Sequence, residues 1–323
     1  MQRDSAWQPS ADLATLRARA ALLAKVREFF AARQVLEVDT PLLAQYGVTD
    51  PHLENLTVRL SPQGPLYYLQ TSPEYAMKRL LAAGSGSIYQ LGKVFRSDEQ
   101  SRRHNPEFTM LEWYREGFSV ADLLDEIDQL LQTTVDAKPL KQQRYQDLFV
   151  EKLGVDPLAV DAVAQLKRVL LTKPELADWA TAEDDLDTLL DGTMAFLIEP
   201  TLPHDTPLAV THYPASQAAL AMLDPEQPEV ALRFEVFYRG VELANGYQEL
   251  TDAGEQARRF VQDNQRRAQL GKPGRDGDLR LLAALQHGLP NCAGVALGFD
   301  RLLMAWLARE HISQVLPFAI DRA

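Results

Sequence analysis

The stretch from Gln90 to Tyr114 constrains the chain more than any other, because it reads as strand, charged loop, strand. Alternation toward Arg96 puts Ile88, Gln90, Gly92 and Val94 on one face with Arg96. Tyr89, Leu91, Lys93 and Phe95 fall on the other. After the loop, Phe108, Met110, Glu112 and Tyr114 share a face, opposite Thr109, Leu111 and Trp113. A ring, a carboxylate and a phenol on one strand face are unusual for simple packing. Phe108 and Tyr114 lie roughly 20 Å apart, about the length of an extended nucleotide joined to a small molecule. The pattern alone fits equally an amphipathic hairpin with one solvated face.

The rest of the chain narrows the class. Its 323 residues allow one large domain or two modest ones. Hydrophobic residues make up 46% and charged residues 24%, as in an ordinary globular enzyme. No run of 18 apolar residues is present to span a membrane, and the N-terminus leads into a charged helix rather than an apolar signal core. One cysteine, Cys292, rules out an internal disulfide and fits a reducing cytoplasm. A net charge of −12 argues against a broad nucleic-acid surface, although basic clusters remain at Arg102-Arg103 and from Arg258 to Arg275.

In order, Ser10 is the expected cap of a long helix reaching about Arg33. A short strand at Val35–Val38 and two strands at Leu56–Leu60 and Leu66–Leu69 follow. Ser72-Pro73-Glu74 is a compact helix start. Ser119 caps the next helix, and residues 145–200 read as helical throughout, most simply an inserted helical subdomain. Strands resume at Leu208–His212, and Leu232–Asn245 reads as a hairpin turning near Arg239-Gly240. Thr251 with Glu255 opens a polar helix. Asp278–His287 precedes a strand at Gly294–Gly298, which feeds the helix Phe299–Arg309. Without a regular βαβ rhythm, the expectation is a largely antiparallel α+β core flanked by helices.

Three clusters carry chemistry. The hairpin places Arg96 at a strand end, with Arg103 and His104 in its loop, and an arginine fork suits a phosphate oxygen pair. The second cluster is Val241-Glu-Leu-Ala-Asn-Gly-Tyr-Gln-Glu249, in which Glu242 and Glu249 are seven apart. A straight strand puts them on opposite faces, but a bulge at Asn245-Gly246 would bring them together as a plausible Mg²⁺ pair. Two glutamates near a turn are also common as plain surface. The third cluster is Gly298-Phe-Asp-Arg301, where a cation opposes the positive helix end unless it faces an anion or a ring. A surface ion pair between Arg301 and Asp300 explains it as well.

Together these clusters resemble the three motifs of class II aminoacyl-tRNA synthetases, over residues 11–323. The long helix, short strand and Thr40-Pro41 resemble the first motif, which builds the dimer interface in that family. Phe95-Arg96 to Phe108 is similar to the second and Gly294 to Arg301 to the third. Within the class, Arg-His-Asn-Pro-Glu-Phe-Thr-Met-Leu-Glu112 and Glu-Leu-Ala-Asn-Gly-Tyr-Gln-Glu249 look most like lysyl-tRNA synthetases. The anticodon-reading domain that would precede the core is expected to be absent, as in the truncated paralogues that modify elongation factor P. Ala296 stands where lysyl-tRNA synthetases generally have glycine, which favours a shifted amine such as that of β-lysine. Ser97-Asp98 departs from the Asn-Glu or Asp-Glu usual in the family, and Glu99 is an alternative to Asp98 at the adenine.

The resemblance implies an ATP-dependent ligase that activates a lysine-like amino acid as its adenylate and transfers it to a lysine ε-amine of elongation factor P. It implies a homodimer, with tRNA an unexpected partner. Arg96 and Arg301 would be catalytic. ATP would be held by Arg96, Ser97, Asp98, His104, Asn105, Phe108, Glu242, Leu243, Gly298 and Arg301. Ser72, Pro73, Glu74, Glu112, Tyr114, Asn245, Glu249 and Ala296 would bind the amino acid, and Glu242 and Glu249 would hold Mg²⁺. A minimal lysyl-tRNA synthetase and a catalytically silent, dimeric amino-acid or nucleotide sensor are the competing readings. The basic helix from Arg258 to Arg267 is a candidate docking face for an acidic partner.

Overall fold

Asp12, rather than Ser10, caps the first helix. Its carboxylate accepts the Thr15 amide at 2.6 Å, while the Ser10 hydroxyl accepts the Ala319 amide. Aspartate is as good a cap as serine and lies two residues closer to the first apolar position. The computed structural model describes residues 7–97 and 100–323. The chain divides into two units, the first comprising residues up to Val135 together with Glu249–Ala323, the second Asp136–Gln248.

The first unit begins with α1 (Leu13–Ala31), β1 (Leu36–Glu37), β2 (Leu43–Ala44), β3 (Thr57–Arg59), β4 (Leu66–Leu69), α2 (Glu74–Ala82), β5 (Ile88–Phe95), β6 (Glu107–Glu116) and α3 (Val120–Val135). The second holds β7 (Lys141–Arg144), α4 (Tyr145–Leu153), α5 (Ala162–Leu170), α6 (Ala177–Ala182), α7 (Leu186–Thr193), β8 (Leu208–Pro214), β9 (Val230–Tyr238) and β10 (Val241–Gln248). The chain returns to the first with α8 (Ala253–Gln269), α9 (Leu279–Gly288), β11 (Cys292–Gly298) and α10 (Phe299–Trp306).

In the first unit, β5 pairs antiparallel with β6, β6 antiparallel with β11, and short β1 runs parallel to β5. The alternation read from the sequence sorts the two faces. Tyr89 and Trp113 are cross-strand partners, and both pack on Phe30 of α1, at centroid distances of 4.5 and 5.4 Å. That face is core, so Gln90, Glu112 and Tyr114 are left to the other. Arg19 of α1 fastens the layers: its guanidinium bonds Asp300 of α10 at 2.5 Å and the Thr109 hydroxyl of β6 at 2.7 Å. Asp300 also accepts the Thr109 amide. A smaller sheet, β2-β4-β3, is antiparallel. Asp252, not Thr251, caps α8.

In the second unit, β8, β9 and β10 are antiparallel and β7 lies parallel to β8. Parallel neighbours need a crossover, and α4–α7 supply it. Their apolar sides, with Leu148, Phe149, Leu166 and Leu189, close on Leu208, Val210 and Phe237 of the strands. The β9–β10 turn falls where expected. Arg239 (φ 52°) and Gly240 (φ 74°) both adopt left-handed backbone, as a two-residue hairpin loop requires. Among the described residues no helix is long and apolar enough to cross a membrane.

Candidate active site

The polar face of the β5–β6–β11 sheet carries a row in register. Glu112 lies between Gln90 on one side and Ala296 on the other, and Tyr114 lies opposite Gly294. A Cβ at Gly294 would stand 2.4 Å from the Tyr114 ring and 2.5 Å from a Glu249 oxygen, so only glycine fits. The Tyr114 hydroxyl donates to Glu112 at 2.8 Å. At the start of α2, the Ser72 hydroxyl accepts the Glu74 amide and Pro73 takes the cap position. Glu249 is fixed through its backbone amide, which donates to the Cys292 carbonyl at 3.0 Å.

Lys78 joins these pieces. One turn beyond Glu74, it places Nζ 2.7 Å from Glu74 and 2.6 Å from Glu249 while only 1% exposed. The site therefore gathers three carboxylates: Glu249 and half-buried Glu74 share one ammonium, and buried Glu112 lies within the field of both. Burial is the largest cause of the shift in Glu112, reinforced by the charges of Glu74 and Glu249; Tyr114 and Ser72 only partly offset it, and the carboxyl is pushed up to about 8. Burial likewise raises Glu249, with Glu74 adding and Lys78 opposing, to about 7. Burial alone would lower the Lys78 ammonium, but Glu249 and Glu74 outweigh it and hold it above its ordinary value. Lys78 thus stays charged, and the carboxylates carry the electrostatic cost.

At the other end of the hairpin, the Arg96 guanidinium lies over the Phe108 ring, 5.2 Å from its centre. Backbone bonds from Arg96 to the Pro106 carbonyl and from Ser97 to the Glu54 carbonyl set where the loop departs. His104 Nε2 accepts from Arg301 at 2.5 Å, since a guanidinium only donates. Its Nδ1 then donates to Ser101 at 2.7 Å. Arg301 consequently faces the loop, and Asp300 is committed to Arg19, which sets aside the Arg301–Asp300 surface pair. Asn105 uses its amide within the protein, donating to the Glu107 carbonyl and accepting from the Ile320 amide. Gly298 is the cap residue of α10. Asp98 and Glu99 lie outside the described residues.

Glu242, Leu243 and Asn245 belong to the second unit. The bulge comes earlier than read from the sequence. Glu242 opposes Phe237 and Ala244 opposes Val236, so the extra residue is at Leu243 rather than at Asn245-Gly246. It puts Glu242 in phase with Asn245 and Tyr247. Asn245 is paired with Glu235, whose carboxylate takes bonds from Arg233 and from the Tyr213 hydroxyl, each at 2.6 Å. Burial raises Glu235, Arg233 opposes it, and the charge of Glu242 adds to the rise, so the two carboxylates feel each other.

Sequence reading missed two residues, Lys78 and Glu235. Lys78 occupies the buried side of α2 between Met77 and Leu81, where a lysine is out of place. Glu235 alternates with the core positions Phe234 and Val236 of β9. The basic-helix docking face loses one of its cations. Arg267 is fully buried, bonding Glu54, the Asp50 carbonyl and the Pro273 carbonyl, and both Arg258 and Arg259 pair with Glu255. Arg267 thus drops out of the basic face, whereas Arg258 keeps 70% of its side chain exposed.

Residues 7–322 match the family model of class II tRNA synthetases (D, K and N). The chain belongs to this family. Among class II relatives, it is 51% identical to the elongation factor P–(R)-β-lysine ligase of Edwardsiella ictaluri (strain 93-146), over 99% of both chains. It is 50% identical to the protein of that name from Histophilus somni (strain 2336), over the whole of both. It is 49% identical to that of Pasteurella multocida (strain Pm70), over 98% of both.

Proposed function

We propose that this class II enzyme activates (R)-β-lysine with ATP and transfers it to a lysine ε-amine of elongation factor P. The observation that carries the reading is the set of three neighbouring carboxylates, Glu74, Glu112 and Glu249, with Lys78 paired to the first and last. Three carboxylates against one ammonium leave a deficit of positive charge that a substrate with two ammonium groups makes good. Relatives at about half identity across their full lengths carry the name of that reaction.

In this reading residues 11–323 form one catalytic domain with a helical insertion at 145–200. Arg96 holds the α-phosphate and the adenine lies between Phe108 and Arg301, with Ser97, Asp98, His104, Asn105, Leu243 and Gly298 completing the nucleotide contacts. Ser72, Pro73, Glu74, Glu112, Tyr114, Asn245, Glu249 and Ala296 surround the amino acid. Hard carboxylate oxygens suit Mg²⁺, which neutralises phosphate charge when bound. Glu242 and Glu249 were the pair read from the sequence. Because Lys78 pairs with Glu249, and Arg233 and Tyr213 with Glu235, we assign that task to Glu242 and leave Glu249 to the amine.

The substrate carboxylate attacks the α-phosphorus and pyrophosphate leaves. The acceptor amine then attacks the adenylate carbonyl, forming the amide and releasing AMP. No side-chain nucleophile is required, and the protein's work is positioning and charge neutralisation. The enzyme is expected to act as a cytoplasmic homodimer, which sedimentation of the purified protein would check. ATP–pyrophosphate exchange should depend on lysine, more strongly on β-lysine, and be lost in Arg96→Ala. Mass spectrometry of elongation factor P after incubation with enzyme, ATP and β-lysine should show the added mass. Absence of exchange with either amino acid would favour the silent sensor, and efficient tRNA charging without modification of the protein acceptor would favour the minimal synthetase.

A further inference from the structure

Lys78 is assigned no part in the chemistry above, yet among the described residues it is the only buried lysine. Its Nζ joins two carboxylates from distant parts of the sequence, Glu74 on α2 and Glu249 just beyond β10. Tyr75 on α2 and Cys292 on β11 also feel its charge, and Glu112 and Tyr114 on β6 lie in the field of the same two carboxylates. None of these supplies a second cation. One oxygen of Glu112 is buried without a hydrogen bond of good geometry.

We propose that Lys78 is a specificity-determining positioning residue: it holds Glu74 and Glu249 in place and sets the pocket's charge balance, so that a diamino acid fills it. The proposal rests on the ligase reading. With Lys78 present and all three carboxylates ionised, the pocket carries two uncompensated negative charges. Two substrate ammonium groups cancel them, whereas one leaves a buried charge unpaired. The empty pocket relieves the imbalance by keeping protons on Glu112 and Glu249. When the substrate arrives these carboxyl protons pass to solvent and the oxygens turn to the ammonium groups. Loss of Lys78 would deepen the imbalance, so the empty pocket would hold more protons and release more on binding.

Calorimetric binding of lysine and β-lysine near pH 7, in two buffers of different ionisation enthalpy, counts those protons. The wild-type protein should release on the order of one proton. Lys78→Met should release more, and its KM for the amino acid should rise roughly tenfold at pH 7 and recover toward pH 9, with the KM for ATP little changed. Lys78→Arg keeps the charge and should restore the wild-type count and pH profile. A purely structural lysine would instead lower the melting temperature with an unchanged proton count, and that result overturns the proposal. Should Lys78→Met fail to fold, the wild-type count still decides, because binding without proton release overturns it. If the wild-type protein binds neither amino acid and catalyses no exchange, the ligase reading itself fails and the proposal with it. Normal binding and exchange with equal proton counts in wild type and Lys78→Met removes only the role of Lys78.

Discussion

Ala296 faces Glu112 directly across the β6–β11 pair, so its methyl group borders the proposed amine pocket. Changing Ala296→Gly should give α-lysine the room it lacks. The ratio of kcat/KM for β-lysine over α-lysine, read by pyrophosphate exchange, should fall by about tenfold or more, the usual value of one carbon in a close-fitting site. An unchanged ratio would show that the methyl does not select. At this scale the sequence was informative wherever a residue type clashed with its setting. Glu112 and Tyr114 stood out because alternation put them on a strand face that also held Phe108 and Met110. Lys78 carried the same kind of signal on the apolar side of α2, but a helix of nine residues with other charged positions hides one buried lysine well. Asp300 was identifiable as a charge at the start of a helix, though its partner was not. Arg19 lies 281 positions away, and no local pattern reports a contact of that span.

The elements were legible in proportion to their periodicity. The β5–β6 hairpin followed from alternation of period two, and the Arg239-Gly240 turn from the need for left-handed backbone. The bulge at Leu243 was misplaced because Asn245-Gly246 is the stronger local signal, while the true position is set by pairing with Val236 and Phe237 on β9. Caps at Asp12 and Asp252 displaced Ser10 and Thr251, a choice between chemically similar residues that sequence alone leaves open. The approach of β11 to β6 gives a test of element packing. In Gly294→Ala the new methyl group must push Tyr114 or Glu249 aside, at a cost of about 1–3 kcal/mol. The KM for the amino acid should therefore rise in exchange assays while that for ATP changes little. Equal effects on both would mean that the strand as a whole had moved.

For the whole molecule, the raised carboxyls make stability depend on pH in an unusual direction. Glu112 and Glu249 titrate at about 8 and 7 in the folded protein, against an ordinary 4.5. Between those values the folded state holds protons that the unfolded chain has lost, so stability falls as pH rises. Without substrate, the denaturation midpoint should drop between about pH 5 and pH 8, and saturating lysine should flatten the dependence. A ligand-free protein equally stable at both ends of that range would show that the pocket's charges are relieved in some other way.

The first unit is interrupted in sequence by the second, so β6 and β11 must find one another across a long detour. Register inside the second unit places Lys141 beside Leu208, Leu208 beside Phe237, and Phe237 beside Glu242. Once those strands pair, the starts of β7 and β10 stand three strand spacings apart, about 14 Å, and β10 carries the chain on to Gln248. An unfolded detour of the same length would leave its ends free to wander and would tax every attempt at closure. A second unit that pairs before β6 and β11 meet would act as a splint, fixing the span that the pairing of Gly294 with Tyr114 has to close.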